Sequence, residues 1–253
     1  MHRLPALREL SPAVMWRIRR VIDCSGRLPE IRRLPQTATE VGLSFDDGPT
    51  AETTPLLIEL LGRHRATATF FVTGERANRA PDLLKALIYA GHDVFPHGWR
   101  HVRYGLLHPD AVIRDLDKTE SLLNRIRPTP SPYLVRLPYG SGHGDPRLHR
   151  AVREWNADSR VALWDYVTRD WEFAENCRDE EELESRCITE ADHIVRRPKV
   201  AGSILLMHEK PFDVSAPLNA RVAPLLVSAL LSRMSARGLH GSRIIAFGSP
   251  GHC

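Results

Sequence analysis

Short apolar runs alternate with longer amphipathic stretches along most of the chain, a pattern typical of repeated β–α units. The apolar runs predict seven strands, at Val41–Phe45, Ala68–Val72, His92–Pro96, Tyr133–Leu137, Val161–Trp164, Ser203–Met207 and Arg243–Phe247. This order predicts an α/β protein with a mainly parallel sheet. An open doubly wound sheet and a barrel both fit, and no GxGxxG phosphate-binding loop follows the first strand.

The stretches between the predicted strands carry signals for the starts and ends of helices. Thr53 and Thr54 precede Pro55, a sequence that often begins a helix, and Gly91 follows an apolar stretch in the position of a helix stop. Helices are predicted at Leu56–Leu61, directly after Pro55, and at Pro81–Tyr89, Asp110–Ile126, Pro146–Trp155, Glu180–Val195 and Pro217–Arg237.

The first forty residues differ from the rest because they are rich in arginine and proline. We interpret residues 1–40 as an N-terminal leader that is helical in part, and residues 41–253 as one catalytic domain. Residues 1–20 are interrupted by prolines and charged residues and lack the apolar run of a signal peptide. No segment approaches the ~20 apolar residues of a spanning helix. A cytoplasmic location is therefore expected, with peripheral contact at the inner membrane face as an option.

Composition adds little to this picture. A net charge of +4 is spread over arginines interspersed with acids, without a basic stripe or a nucleic-acid motif, so nucleic acid is not an expected partner. The four cysteines show no CxxC spacing and are expected to be free thiols, with a pairing of Cys177 and Cys187 left open.

Chemically reactive side chains follow several of the predicted strands. Because functional groups cluster at the carboxyl ends of parallel strands, we expect them to lie at one end of the fold. The first strand ends in Asp46 and Asp47 before Gly48–Pro49. Neighbouring residues of an extended chain point to opposite sides, so two acids here are expected to serve two roles. An aspartate-rich turn that caps a helix is the alternative.

Two histidines, His97 and His101, follow the third strand at a spacing that allows both to bind one metal ion if the loop forms a helical turn. Such a pair is weak evidence by itself, but Asp47 would complete a site of two histidines and one aspartate. Later strand ends supply Arg136, the Asp170–Trp171 pair and His208. Taken singly, Arg136 is more simply interpreted as a surface arginine and His208 as a buried, hydrogen-bonded histidine. Their common placement at strand ends favours a functional site.

From Val41 to Phe247 the chain resembles the polysaccharide deacetylases of carbohydrate esterase family 4, which contain the NodB-type domain. Five motifs of that family occur in order: Ser44–Pro49 resembles TFDDGP, His97–His101 the H-S/T-x-x-H segment, Arg136–Gly140 RxPYG, Asp170–Trp171 the end of the fourth motif, and Ile204–His208 I-V-L-x-H. The chain differs at Pro96, Gly98 and Val167, where asparagine, serine or threonine, and an acid are usual. These differences suggest a divergent substrate.

The resemblance implies a distorted (β/α)7 barrel and a divalent metal held by Asp47, His97 and His101. The metal is expected to be Zn2+, with Co2+, Ni2+ or Fe2+ as alternatives. Asp46 is implied as the general base and His208 as the general acid.

Five further roles follow from the same resemblance. Arg136 would steady the base, and Asp170 would orient the acid. The backbone N–H of Tyr139 would bind the oxyanion, and Trp171 and Leu206 would wall the acetyl pocket.

This arrangement predicts hydrolysis of an N-acetyl group on an amino sugar. The metal would polarise the carbonyl and acidify a water molecule, and the two titrating residues would move the protons. The expected partner is an N-acetylated sugar or oligosaccharide, either a soluble precursor or a lipid-linked intermediate. An O-acetyl esterase with the same site and a non-catalytic glycan-binding relative are the alternatives, although the latter is expected to have lost a ligand or Asp46.

Overall fold

The structure, a computed structural model, describes residues 27–35, 37–211 and 216–244. Within these ranges the strands are β1 Glu30–Ile31, β2 Glu40–Gly48, β3 Thr69–Val72, β4 Asp93–Pro96, β5 Tyr133–Val135, β6 Ser159–Ala162, β7 Tyr166–Val167, β8 Ile204–His208 and β9 His240–Ser242. The α-helices are α1 Thr54–Arg63, α2 Gly74–Arg79, α3 Pro81–Tyr89, α4 Pro109–Leu123, α5 Pro146–Trp155, α6 Glu180–Arg196 and α7 Asn219–Ala236.

The strands form two parallel sheets that continue one another. One has the order β4-β3-β2-β8-β7, with β9 pairing with the start of β2, and the other has the order β1-β6-β5. At one junction β4 packs beside β5, and at the other the Asp165 amide, just after β6, donates to the Ile204 carbonyl of β8 at 3.0 Å. The sheets therefore enclose a distorted β/α barrel, which confirms the predicted fold class.

Several helices begin where the sequence predicts because proline or an acidic cap marks their first turn. Pro81 opens α3 and Pro146 opens α5, and the bounds of both helices match the prediction. The Asp145 side chain accepts from the Arg147 amide at 2.9 Å at the start of α5. The Asp179 side chain accepts from the Glu182 amide at 2.9 Å at the start of α6.

Several elements differ from the prediction, among them the two-residue strand β1, which lies in the predicted leader. The last strand is β9, which ends at Ser242, whereas the prediction placed a strand at Arg243–Phe247; Arg243 and Ile244 lie outside β9, and residues 245–247 lie outside the described residues. The two-residue strand β7 and the six-residue helix α2 were not predicted. Both are too short for a hydrophobic period to reveal them.

The predicted N-terminal leader overlaps the barrel in its second half. Its strand β1 pairs in parallel with β6, and the side chains of Leu28 and Leu34 are buried. The boundary at residue 40 stays a prediction, and residues 1–26, which include the predicted helical part, lie outside the described residues.

Two apolar clusters hold the sheets to the helices. The larger one packs one side of β2, including Leu43 and Phe45, against helices such as α6 and α7. The smaller one joins β4 and β5 to α4 and contains Phe71 and Phe95, whose ring centroids are 6.0 Å apart. Because both sides of the central strands are covered, their carboxyl-end loops are held on a rigid base.

Two other sequence predictions concern the cysteines and membrane-spanning segments. Cys177 and Cys187 are free thiols, so the pairing left open does not form, while Cys24 and Cys253 lie outside the described residues. None of the helices in the described ranges is long and apolar enough to cross a membrane.

Candidate metal centre and active site

The end of β2 places two neighbouring carboxylates in the same pocket. Asp46 and Asp47 both line it, although the sequence pattern predicted opposite directions for adjacent residues. The pairing of β2 with β3 shifts register between Asp46 and Gly48, and Asp47 has a positive φ of 71°. This break in the extended backbone turns the second carboxylate towards the first, so the prediction of opposite sides was wrong.

Arg136, at the end of β5, holds Asp46 in place. Its Nη1 donates to Oδ1 of Asp46 at 2.9 Å and to Oγ of Ser44 at 2.8 Å, and both members of the ion pair are buried. Burial opposes ionisation of Asp46, yet the nearby positive charge, above all that of Arg136, holds the pKa of its carboxyl below its ordinary value. Asp46 is therefore an ionised carboxylate at neutral pH.

The two histidines that follow β4 face Asp47. Nε2 of His101 lies 3.2 Å from Oδ1 of Asp47, and Nε2 of His97 lies 3.8 Å from the same oxygen. One donor atom from each of the three residues lies within 4.8 Å of the others. The sequence thus identified all three members of this cluster, but the helical turn it assumed between the histidines does not form, since Gly98 and His101 have positive φ values of 76° and 53°.

A hydrogen bond from the opposite side of the ring fixes His97. Its Nδ1 lies 2.9 Å from the backbone carbonyl of Arg136, and since a carbonyl only accepts, Nδ1 carries the proton. Nε2, on the other side of the ring, lies 3.5 Å from Oδ2 of Asp46 and 3.8 Å from Oδ1 of Asp47. A histidine whose other nitrogen donates to a carbonyl is the usual arrangement for a metal ligand.

The donor set fits a divalent cation. Oδ1 of Asp47 is buried and receives no hydrogen bond from the described residues. Burial raises the pKa of the Asp47 carboxyl, and the adjacent charge of Asp46 adds to the increase, so a bound cation would relieve both effects. Bonds of about 2.0–2.2 Å to zinc place tetrahedral donor atoms roughly 3.3–3.6 Å apart, and the two Nε2 atoms lie 3.2 and 3.8 Å from Oδ1 of Asp47.

The loop that carries His97 and His101 is braced by groups that the sequence pattern did not reveal. Oδ2 of Asp115 on α4 accepts from the Trp99 amide at 2.7 Å and from the Tyr104 hydroxyl at 2.8 Å. Gly98 has a φ of 76°, and a Cβ there would lie 2.7 Å from the Tyr104 hydroxyl. The serine or threonine usual at this position would not fit, and Asp115 braces the loop.

His208, the last residue of β8, lines the same pocket and is held by Asp170. The two carboxylate oxygens of Asp170 accept from Nδ1 of His208 at 2.9 Å and from its backbone amide at 2.7 Å. Burial lowers the pKa of His208, but the Asp170 carboxylate more than offsets this effect and raises the pKa to about 9. His208 is therefore protonated at neutral pH. It is also the register partner of Asp46 in the pairing of β2 with β8.

These groups surround one pocket of about 470 Å³, within the ~300–1,000 Å³ typical of small-molecule sites. Trp171 and Leu206 form part of its wall, and the Trp171 ring meets His208 edge-on at 5.3 Å between centroids. The Tyr139 ring packs against the His101 ring, with 4.3 Å between their centroids. The backbone of Tyr139 has a positive φ of 58°. Of the ten predicted site residues, eight line the pocket, while Arg136 and Asp170 lie directly behind it.

A second layer of polar groups supports the turn after β2 and was missed by sequence analysis. Arg76 on α2 donates through Nη1 to the Asp47 carbonyl and, at 2.6 Å, to the Lys210 carbonyl. Glu209 is fully buried beside Gly48 and accepts from the Thr54 hydroxyl. These residues tie the ends of β2 and β8 together, but none belongs to a motif. Glu209 directly follows His208, whereas Arg76 is 29 residues from Asp47, so the sequence gave no signal for Arg76.

Comparison with known proteins agrees with this geometry. The sequence profile described as polysaccharide deacetylase matches residues 33–158. A chitooligosaccharide deacetylase of Sinorhizobium fredii is 30% identical over 212 residues, which cover 81% of this chain and 89% of that protein. A peptidoglycan-N-acetylglucosamine deacetylase of Bacillus cereus is 32% identical over 139 residues, which cover 54% of this chain and 48% of that protein. The chain thus matches only about half the length of some curated relatives.

A solved structure shows the same fold. A CE4 family pseudoenzyme from Bacillus anthracis superposes with a TM-score of 0.64 at 21% sequence identity, over 95% of this chain and 71% of that one. At this identity the likeness describes the fold and not the chemistry. Together with the sequence matches, it shows that the chain belongs to the polysaccharide deacetylase family.

Proposed function

We propose that this protein is a metal-dependent hydrolase that removes the N-acetyl group from an amino sugar. The observation that carries the proposal is that one pocket contains the Asp47, His97 and His101 cluster together with a carboxylate, Asp46, and an imidazole, His208. The carboxylate is paired with an arginine and the imidazole with an aspartate. The names of the relatives, which describe deacetylases of acetylated sugars, support the same reaction.

The two flanking groups are in the protonation states that amide hydrolysis needs. Asp46 is ionised, so it can accept a proton from the attacking water. His208 is protonated, so it can donate a proton to the departing nitrogen, without which an amine is a poor leaving group. Each such step typically contributes ~10²–10⁴-fold to the rate. Arg136 and Asp170 act as positioning residues. Arg136 orients Asp46 and keeps it ionised, and Asp170 orients His208 and keeps it protonated.

Asp47, His97 and His101 would hold the divalent ion, whose contribution when bound is to polarise the acetyl carbonyl and to acidify water. Two imidazoles and one carboxylate suit Zn2+, our first expectation, and also suit Co2+, Ni2+ or Fe2+. The backbone N–H of Tyr139 is assigned to the developing oxyanion. Trp171 and Leu206 are assigned to the methyl side of the acetyl group, where an apolar wall excludes water.

The proposed substrate is an N-acetylated sugar in a glycan or glycolipid intermediate. A lipid-linked sugar is supported by the segment after His101, which exposes the apolar side chains of Val102, Leu106 and Leu107. Such side chains can contact a lipid surface. A cytoplasmic location, with peripheral contact at the inner membrane face, stays a prediction.

The test is acetate release by the purified protein from N-acetylated sugars, with and without added Zn2+, after removal of metal by a chelator. Metal-dependent release that is lost in Asp46→Asn would support the proposal. Faster release from O-acetylated than from N-acetylated sugars would favour the esterase alternative. Failure to retain metal, combined with no effect of Asp46→Asn, would favour the non-catalytic glycan-binding alternative.

A further inference from the structure

Among the residues that the structure describes, one arginine at the edge of the pocket has no acidic partner. Arg103 follows His101 by two residues, is exposed and lines the pocket. The central carbon of its guanidinium lies 4.0 Å from the ring centroid of Tyr139, so the guanidinium is stacked on an aromatic side chain that also lines the pocket. A guanidinium held against a ring keeps its edge N–H groups available as donors.

The charge of Arg103 is not balanced locally. Among the described residues, no carboxylate forms an ion pair with Arg103. The acidic side chains of the pocket are Asp46 and Asp47, and each is engaged deeper inside: Asp46 with Arg136 and Asp47 with the two histidines. An anion entering the pocket would therefore meet a positive group at its mouth.

We propose that Arg103 binds an anionic substituent of the substrate, a carboxylate or a phosphate, carried by the acetylated sugar or by the unit attached to it. This inference rests on the proposed function of the pocket and specifies its substrate class. Arginine donates two parallel hydrogen bonds to either anion. Since the pocket wall includes both Arg103 and the acetyl-group wall at Trp171, one small ligand of this size class can contact both.

The decisive experiment compares Arg103→Gln with Arg100→Gln. Arg100 is an exposed arginine on the same loop that does not line the pocket, so its replacement changes the net charge equally. Three matched probes are N-acetylglucosamine, N-acetylmuramic acid, which adds a carboxylate, and N-acetylglucosamine 1-phosphate. Initial rates of acetate release give KM and kcat for each protein and probe. Binding to the Asp46→Asn form, measured by calorimetry, gives the affinity without turnover.

Arg103→Gln is expected to raise KM about 10–100-fold for at least one anionic probe, the size of a charge-assisted hydrogen bond, with kcat and the KM for the neutral probe nearly unchanged. Arg103→Lys should restore part of the affinity, and Arg100→Gln should leave all values unchanged. The carboxylate and phosphate probes identify which anion is bound.

Two outcomes would overturn the inference: equal losses for neutral and anionic probes in Arg103→Gln, or equal effects of the two glutamine variants. Activity of the wild-type protein without any preference for charge would defeat this inference alone. Absence of deacetylation of any N-acetyl sugar would defeat the proposed function instead.

Discussion

The backbone carbonyl of Arg136 accepts a hydrogen bond from Nδ1 of His97 at 2.9 Å. The side chain of the same arginine donates to Asp46 at 2.9 Å. One residue at the end of β5 therefore orients both the proposed base and a proposed metal ligand, by different atoms. A substitution of Arg136 removes the contact to the base while the contact to the ligand persists, so the two effects can be measured separately.

Replacing Arg136 with methionine should destabilise the protein strongly, because the buried Asp46 carboxylate would lose its partner. Removal of one member of a buried ion pair typically costs about 3–5 kcal/mol of unfolding free energy, which urea unfolding would measure. Arg32→Met is the control, since Arg32 and Glu30 form an exposed pair. The double variant Arg136→Met/Asp46→Asn should recover part of the loss; no recovery would mean that the charge of Asp46 is not the cause.

Replacing Asp46 with asparagine should abolish most of the turnover and leave the metal content near that of the wild type. The carboxamide keeps the shape but cannot accept the proton, so a loss of about 10²–10⁴-fold or more is expected. Rates of acetate release and elemental analysis of the same preparation provide the two measurements. Full activity in this variant would show that another group is the base.

His97→Ala and His101→Ala should each lose the metal, because either change leaves only two protein ligands. Zinc titration by calorimetry and the zinc-dependent increase in Tm would report the loss. His108→Ala is the matched control, since His108 lies on the same loop region and its side chain is 76% exposed. Tight zinc binding in either ligand variant would contradict the assignment.

The pH profile should depend on Asp170. His208 must be protonated to act as an acid, and with its pKa raised to about 9 it carries the proton at neutral pH and loses it as the pH rises. Asp170→Asn removes the negative charge that raises this pKa, so the alkaline limb of kcat against pH should move to lower pH by roughly 1–3 units. An unchanged limb would mean that it reports another group, and Asp145→Asn, which lies outside the pocket lining, serves as the control.

Asp115→Asn should weaken metal binding without removing a ligand. The carboxylate of Asp115 holds the Trp99 amide and the Tyr104 hydroxyl of the ligand loop. Loss of such outer contacts typically lowers metal affinity about 10–100-fold, which competition with a chromogenic chelator would measure. Asp117→Asn, two residues further along the same helix, should have no such effect.

The positions of the site residues could be predicted because they lie at strand ends that the hydrophobic pattern locates. Asp46, His97, Arg136 and His208 each follow a short apolar run, and parallel pairing brings those ends together. The direction of Asp47 could not be predicted, because the register shift that turns it depends on tertiary contacts. Asp115, Arg76 and Glu209 were missed for the same reason: their partners are distant in sequence, and their own surroundings look like ordinary helix or loop.

The left-handed backbone at Asp47 limits how this centre can change. Asparagine and aspartate adopt a positive φ far more readily than larger residues, and here φ is 71°. A glutamate at this position would add backbone strain to any change in coordination. Variants selected for a different metal are therefore expected to alter the two histidines or their outer contacts first, and to keep a short carboxylate at residue 47.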